Sequence, residues 1–287
     1  MTPAAGLAAP PAVPSRAVWF ARVLAAFARR EARAAAGYRV AFLVRGLAFG
    51  FSTLALAFMS RLVGATSNPH LAAYGGDYLA FAVVGFVVMD LQQVGVSNLS
   101  QRVRAAQVLG LMEADMAAPV PVWIVLGVAP VYELGLALFR STLYLLVAGI
   151  AFGVTFPHAN WGSVVVGVPL MMGAFVGLGL LSAAVTMIAR RSNPVALLLA
   201  SASLLLSGVA YPVSVLPPAL RAVGRCLPLT HALEIVRGAF LRGAGLAELS
   251  GSMTALAVFA GVLVPSGLAL FAFALRRARV DGSLTHY

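Results

Sequence analysis

Six apolar runs alternate with short polar segments along the chain, at residues 40–63, 78–98, 127–154, 162–189, 195–211 and 252–275. Each approaches the roughly 20 residues that an α-helix needs to cross a hydrocarbon core about 30 Å thick. The pattern predicts an all-α polytopic membrane protein with six transmembrane helices. Ahead of the first run, Arg22, Arg29 and Arg33 recur at i, i+7, i+11, while Phe20, Leu24 and Phe27 recur on the opposite face. Residues 15–38 therefore predict an amphipathic helix lying in the headgroup layer. Residues 1–14 are rich in Ala and Pro without an apolar period and are read as a disordered cytoplasmic tail. The transmembrane domain is assigned to 39–280 and a C-terminal tail to 281–287.

The polar segments orient the runs. Arginines from Arg16 to Arg45 precede the first span, Arg102 and Arg104 follow the second, Arg190 and Arg191 the fourth, and Arg276, Arg277 and Arg279 the sixth. By the positive-inside rule these ends face the cytoplasm, and so do both termini. The opposite side then carries Asn68, His70, Asp77, His158, Asn160 and Trp161. Arg221, Arg225, Arg237 and Arg242 depart from the rule. They fall between spans five and six, where the topology leaves them outside, with carbonyls, headgroups or substrate anions as partners.

Composition agrees and narrows the function. The chain is 61% hydrophobic and 10% charged, with a mean hydropathy of +0.94, against about 25% charged in a soluble domain. The formal net charge of +11 is dispersed beside hydrophobic runs and forms no single basic face, so no nucleic-acid partner is predicted. All 20 Lys+Arg positions are Arg. A P-loop needs its lysine to reach the β- and γ-phosphates, so this chain holds no ordinary ATP-hydrolysing site. The lone Cys226 excludes an internal disulfide and a multi-cysteine metal site.

Residues 207–243 interrupt the pattern. Pro212, Pro217, Pro218 and Pro228 cannot share one continuous helix, because each lacks a backbone donor and crowds the preceding turn. Irregular backbone at membrane depth persists only where protein or a wet cavity surrounds it. The stretch is therefore read as a re-entrant or surface cap with a helix over 229–241. His231 and Glu234 share a face of that helix at i, i+3, but without HExxH or a cysteine pair no metal site is predicted.

The succession Tyr211-Pro212, Leu216-Pro217, Leu220-Arg221, Leu227-Pro228-Leu229-Thr230-His231 and Arg237 resembles the C-terminal signature of ABC-2 type exporter permeases. Its LPLTH wording is closest to the drug-resistance and nodulation-factor exporters. Between spans two and three, Gly110, Glu113 and Pro119 match the family's G-T-L-E segment with its proline six residues later, with Leu111 in place of Thr and Leu109 in place of an acid. The resemblance implies a coupling helix here that docks on an ATPase, to which Arg102, Arg104 and Asp115 also belong. It further implies homodimers with two copies of a separate ABC ATPase, which binds ATP and Mg, this chain holding no cofactor itself. It implies export of lipid-linked, glycolipid, polysaccharide or hydrophobic drug-like substrates across the inner (plasma) membrane, with Tyr211, Pro212, Pro217, Pro228, His231, Glu234 and Arg237 in the extracytoplasmic cap.

Arg45, Asp90, Glu133 and Arg140 are charges placed in or beside spans, where each costs about 2.5–3.5 kcal/mol at the helix centre unless it pairs or meets water. Glu133 and Arg140 stand too far apart along one helix for a direct pair, so partners on other helices are expected, with Asp90 joined to Arg140 or to Arg45. Such charges form structural ion pairs or line a substrate route. No catalytic residues are assigned. Two alternatives remain, an ion-coupled secondary transporter and a membrane-embedded lipid-modifying enzyme. The first should show internal repeats and the second a polar catalytic cluster.

Overall fold

A computed structural model describes residues 39–64, 71, 74, 76–108, 122–189 and 194–280, with the isolated positions Ala25 and Arg29. The tail 1–14, the rest of the amphipathic segment 15–38 and the C-terminal 281–287 lie outside the described residues. Two compact units divide the chain, Met1–Val44 and Arg45–Tyr287. In the first, Ala25, Arg29 and 39–44 are helical. The bundle and the cap belong to the second.

Every described regular element is helical. Helix α1 covers Arg39–Gly64, α2 Tyr78–Val108, α3 Val122–Phe152, α4 Trp161–Ala189 and α5 Pro194–Leu206. A 3-10 turn at Val213–Val215, α6 (Pro218–Arg225), α7 (Pro228–Arg237) and a π-helical turn (Gly238–Arg242) make the cap, and α8 (Ser250–Val280) closes the fold. Local chemistry sets several starts. Asp77 Oδ1 accepts from the Leu79 and Ala80 amides at 2.8 and 3.2 Å, and Asn160 Oδ1 from the Ser163 amide at 3.2 Å, so both side chains satisfy donors that a first turn leaves open. Pro218 and Pro228 open α6 and α7, where a missing amide costs nothing.

Among the described residues, four helices are long and apolar enough to cross a membrane: Tyr78–Val108, Tyr132–Phe152, Trp161–Ala189 and Ser250–Arg277. Two further apolar helices are shorter, Gly46–Arg61 and Ala196–Leu206. Of the six spans expected from the apolar runs, four coincide with these long apolar helices, while α1, at 26 residues, and α5, at 13, hold the two shorter apolar stretches. The fifth run stops early because the chain turns at Gly208, in the left-handed region at φ +77°, and at Pro212. The 13 residues of α5 rise only about 20 Å. The second run errs the other way, since α2 continues through Arg102 and Arg104 to Val108.

Contacts give each helix a direction. On α2 and α3, Asp90 meets Arg140 and Arg102 meets Glu133, so the two are antiparallel. Gln92 and Ser203 bond at 2.9 Å while Val96 packs with Ala196, which makes α5 antiparallel to α2 as well. Leu99, Val103, Leu180, Met187 and Phe271 share one cluster, and Val84, Met171, Leu256 and residues of α7 share another, so α2, α4 and α8 are parallel. All three begin at the cap. Their far ends, with the starts of α3 and α5, lie at the opposite end of the bundle.

Close approach rests on small residues. A Cβ on Gly179 would stand 2.1 Å from the Gly95 carbonyl oxygen of α2, and one on Gly177 would stand 2.6 Å from Leu263 Cβ of α8. Where lipid is as apolar as leucine, such tight backbone contact supplies dispersion energy that bulky side chains would prevent. Leu136, Phe139 and Ile150 of α3 and Val258, Val262 and Phe273 of α8 stay exposed, as hydrocarbon-facing side chains do.

Candidate functional site

The cap is held by side chains bonded to backbone. Thr230 Oγ1 donates to the Gly224 carbonyl at 2.6 Å, and His231 Nε2 lies 2.9 Å from the Arg225 carbonyl. Since a carbonyl only accepts, Nε2 carries the proton. The first turn of α7 thereby satisfies carbonyls that the end of α6 leaves open. Arg221 Nη2 donates to the Ser214 and Leu216 carbonyls at 2.7 and 3.1 Å. The Tyr211 hydroxyl donates back to the Leu205 carbonyl. Pro212 precedes the 3-10 turn and Pro217 precedes α6, both extended.

Arg237 is the centre of this arrangement, at 3% exposure. Its Nε and Nη2 donate to the Phe81 carbonyl at 3.1 and 3.0 Å, Nη1 to the Gly208 carbonyl at 2.7 Å, and Nη2 to the Val209 carbonyl at 2.6 Å. The guanidinium carbon lies 3.4 Å from the centroid of the Phe81 ring. One side chain therefore ties α7 to the start of α2 and to the turn after α5. Glycine makes the room: a Cβ on Gly85 would fall 2.3 Å from Arg237 Nη2. Arg237 lies on α7, which does not span the membrane, and burial lowers its pKa to about 9, opposed by Tyr74 and Tyr78. It remains a cation at neutral pH.

Beside Arg237 a cavity of about 260 Å³ opens between α6, α7 and the 207–214 connection, lined by Tyr74, Ser207, Ser214, Arg221, Arg225 and His231 among others. Glu234 is its one carboxylate, and Glu234 Oε2 accepts from Ser252 Oγ of α8 at 2.6 Å. The cavity thus gathers His231, Glu234 and Arg237 from the cap residues read in the sequence. Tyr211, Pro212, Pro217 and Pro228 shape its backbone and do not line it.

The charges of the bundle behave differently. Arg140 Nη2 and Asp90 Oδ2 approach to 2.5 Å between α3 and α2. One turn pair away, Glu133 accepts from Asn98 Nδ2 at 2.5 Å and from Arg102 Nη2. Arg102, read from the sequence as a coupling residue, sits in this cluster; Arg104 is exposed on the last turns of α2. Arg45 lies in α1. Gly110, Glu113, Asp115 and Pro119 lie outside the described residues. Among the described residues, no three His, Cys, Asp or Glu side chains gather as a metal site would need.

Arg221, Arg225, Ser207 and Tyr74 as cavity walls were not in the sequence-derived site. The i, i+4 spacing of Arg221 and Arg225 signals a shared face of α6. Ser207 and Tyr74 carry no such signal, since only the folding of distant segments brings them there.

Long apolar helices with paired internal charges, closed at one end by a basic cap, define a helical integral membrane protein. Residues 22–241 match the family described as ABC-2 type transporter, and the chain belongs to it. It is accordingly a permease component of an ABC-type transporter, and permeases of this family work with ABC ATPase partners. No curated protein matches the chain.

Proposed function

We propose that the chain is the transmembrane subunit of an ATP-driven ABC exporter in the inner (plasma) membrane. Its substrates are lipid-linked, glycolipid or polysaccharide, or hydrophobic drug-like molecules. The observation that carries the reading is an ABC-2 domain with no lysine. Such a chain has no P-loop lysine, so ATP and Mg bind on a partner ATPase. Two copies of the chain and two of the ATPase form the transporter, with α1 and α5 counted as the first and fifth of six spans. The alternating helix directions support this topology: Arg102, Arg104, Arg276 and Arg277 gather at the end opposite the cap, which is the cytoplasmic end by the positive-inside rule. The segment around Gly110, Glu113, Asp115 and Pro119 then docks on the ATPase, and nucleotide-driven closure moves the bundle rigidly. Both termini are cytoplasmic and the cap closes the outer mouth. Family membership disfavours an ion-coupled carrier and a lipid-modifying enzyme.

ATPase measurements on the purified chain, alone and with the ATP-binding subunit that copurifies, test the reading. Hydrolysis is expected only in the complex, and Glu113→Arg should uncouple or dissociate it. Hydrolysis by the clean isolated chain, or full coupling in the Glu113 variant, would overturn the reading or its docking segment respectively.

A further inference from the structure

We infer that the cap cavity is a binding site for a phosphate-type oxyanion, held by Arg221 and Arg225 of α6 together with Ser207 in its wall. The inference needs only the cap and stands apart from the export reading. Three guanidinium groups, Arg221, Arg225 and Arg237, line a space with a single carboxylate, and among the described residues none of the three forms an ion pair. The carboxylate is already engaged by Ser252. Positive charge in the cavity therefore exceeds negative charge.

Unmet hydrogen bonds point to the same place. Six buried side-chain atoms among the described residues lack a partner, and three of them belong to the wall of this one cavity: Ser207 Oγ and Arg221 Nε, which can donate, and His231 Nδ1, which only accepts while Nε2 carries the proton, so the two donors alone speak for an anion. Ser207 is fully buried, at 0% exposure. Buried polar groups are almost always satisfied, because an orphaned donor keeps its full desolvation cost. The Arg221 Nε–H can only donate and the Ser207 hydroxyl can donate, so a ligand rich in acceptors and negatively charged answers both at once. A metal cation, which Arg221 would repel, and a neutral apolar molecule cannot answer both.

Size and surroundings narrow the ligand. About 260 Å³ is below the roughly 300–1,000 Å³ of clefts that enclose a whole drug-sized molecule, so the cavity takes a headgroup or a free anion. On the outer side of α6, Leu220 and Val223 stay 43% and 51% exposed. A short helix with exposed apolar side chains, the half-buried Arg221 and the exposed Arg225 at the cavity wall fits the depth of lipid phosphates. Free phosphate and the phosphodiester of an anionic lipid share the required chemistry.

The test uses the full-length chain in phosphatidylcholine nanodiscs, reading the thermal midpoint during titration with inorganic phosphate against chloride at matched ionic strength. A second arm compares nanodiscs containing phosphatidylglycerol. Stabilisation by phosphate identifies a soluble oxyanion; stabilisation only by phosphatidylglycerol identifies a lipid headgroup. In either case Arg225→Gln should weaken the apparent affinity at least about tenfold, the weight of one hydrogen bond to a charged group. Ser207→Ala, which removes an unpartnered hydroxyl without disturbing the cap, should also weaken it and serves if the arginine variant fails to fold. No stabilisation in either arm, or equal stabilisation of the wild type and both variants, would mean that water alone fills the cavity and would overturn the inference.

Discussion

Arginine is satisfied in two ways in this molecule, by carboxylates between α2 and α3 and chiefly by backbone carbonyls in the cap, where Arg242 also pairs with Glu248 at 3.4 Å. Between α2 and α3, Arg140 and Arg102 meet Asp90 and Glu133, so each positive charge finds a carboxylate. In the cap, Arg237 and Arg221 meet backbone carbonyls. Carbonyl dipoles satisfy the donors of a guanidinium without cancelling its charge, whereas a carboxylate does both. The bundle pairs are therefore locally neutral and the cap keeps a positive field.

The largest effect should come from taking the cation out of its carbonyl cage. Arg237→Ala removes four charge-assisted hydrogen bonds and the contact with the Phe81 ring, and should cost more than about 3 kcal/mol. Arg237→Lys should rescue little, because an ammonium cannot reach three carbonyls in the planar fork. Thermal unfolding in detergent, with proteolysis read in 213–242, measures both; full rescue by lysine would show that charge alone, and not the fork, holds the cap.

A smaller loss is expected from filling the space that the cage needs. Gly85→Ala places a methyl 2.3 Å from both Arg237 Nη2 and the Val209 carbonyl oxygen, so α7 or the turn after α5 must shift, at about 1–3 kcal/mol. The same substitution at Gly46, with nothing within 4 Å, is the control and should not lower the midpoint, since alanine is the better helix former. Equal midpoints for the two variants would contradict the tight fit at Gly85.

The smallest effect should separate carboxylate pairing from carbonyl caging. Asp90→Asn alone leaves Arg140 charged and unmatched, while Asp90→Asn with Arg140→Gln leaves a neutral pair. The double variant should recover most of the loss, with a coupling of about 0.5–3 kcal/mol. A cycle with no coupling would show that the pair acts independently and that the contrast with the cap is wrong.

Much of this was legible along the chain, for reasons that can be named. Apolar length located the helices, and the prolines located the cap, since Pro218 and Pro228 open its two helices. The count of full-length spans was not legible, because the fifth run remains apolar past Leu206 while its backbone turns at Gly208. Hydropathy sums side chains and is blind to a left-handed glycine. The site was half visible: His231, Glu234 and Arg237 share α7, yet Ser207 and Tyr74 join them only across long stretches of chain.

What the sequence determined by itself was therefore the class of molecule: helices of membrane length and a proline-broken cap. Periodicity, proline and residue type act over a few residues, so they can be read in order. Only the tertiary structure decided which carboxylate each arginine meets, that Arg237 meets none, and that three unsatisfied polar groups share one cavity wall. Those outcomes depend on the rotation and register of helices packed against one another through glycines such as Gly85 and Gly179, and that register is a property of the assembled bundle.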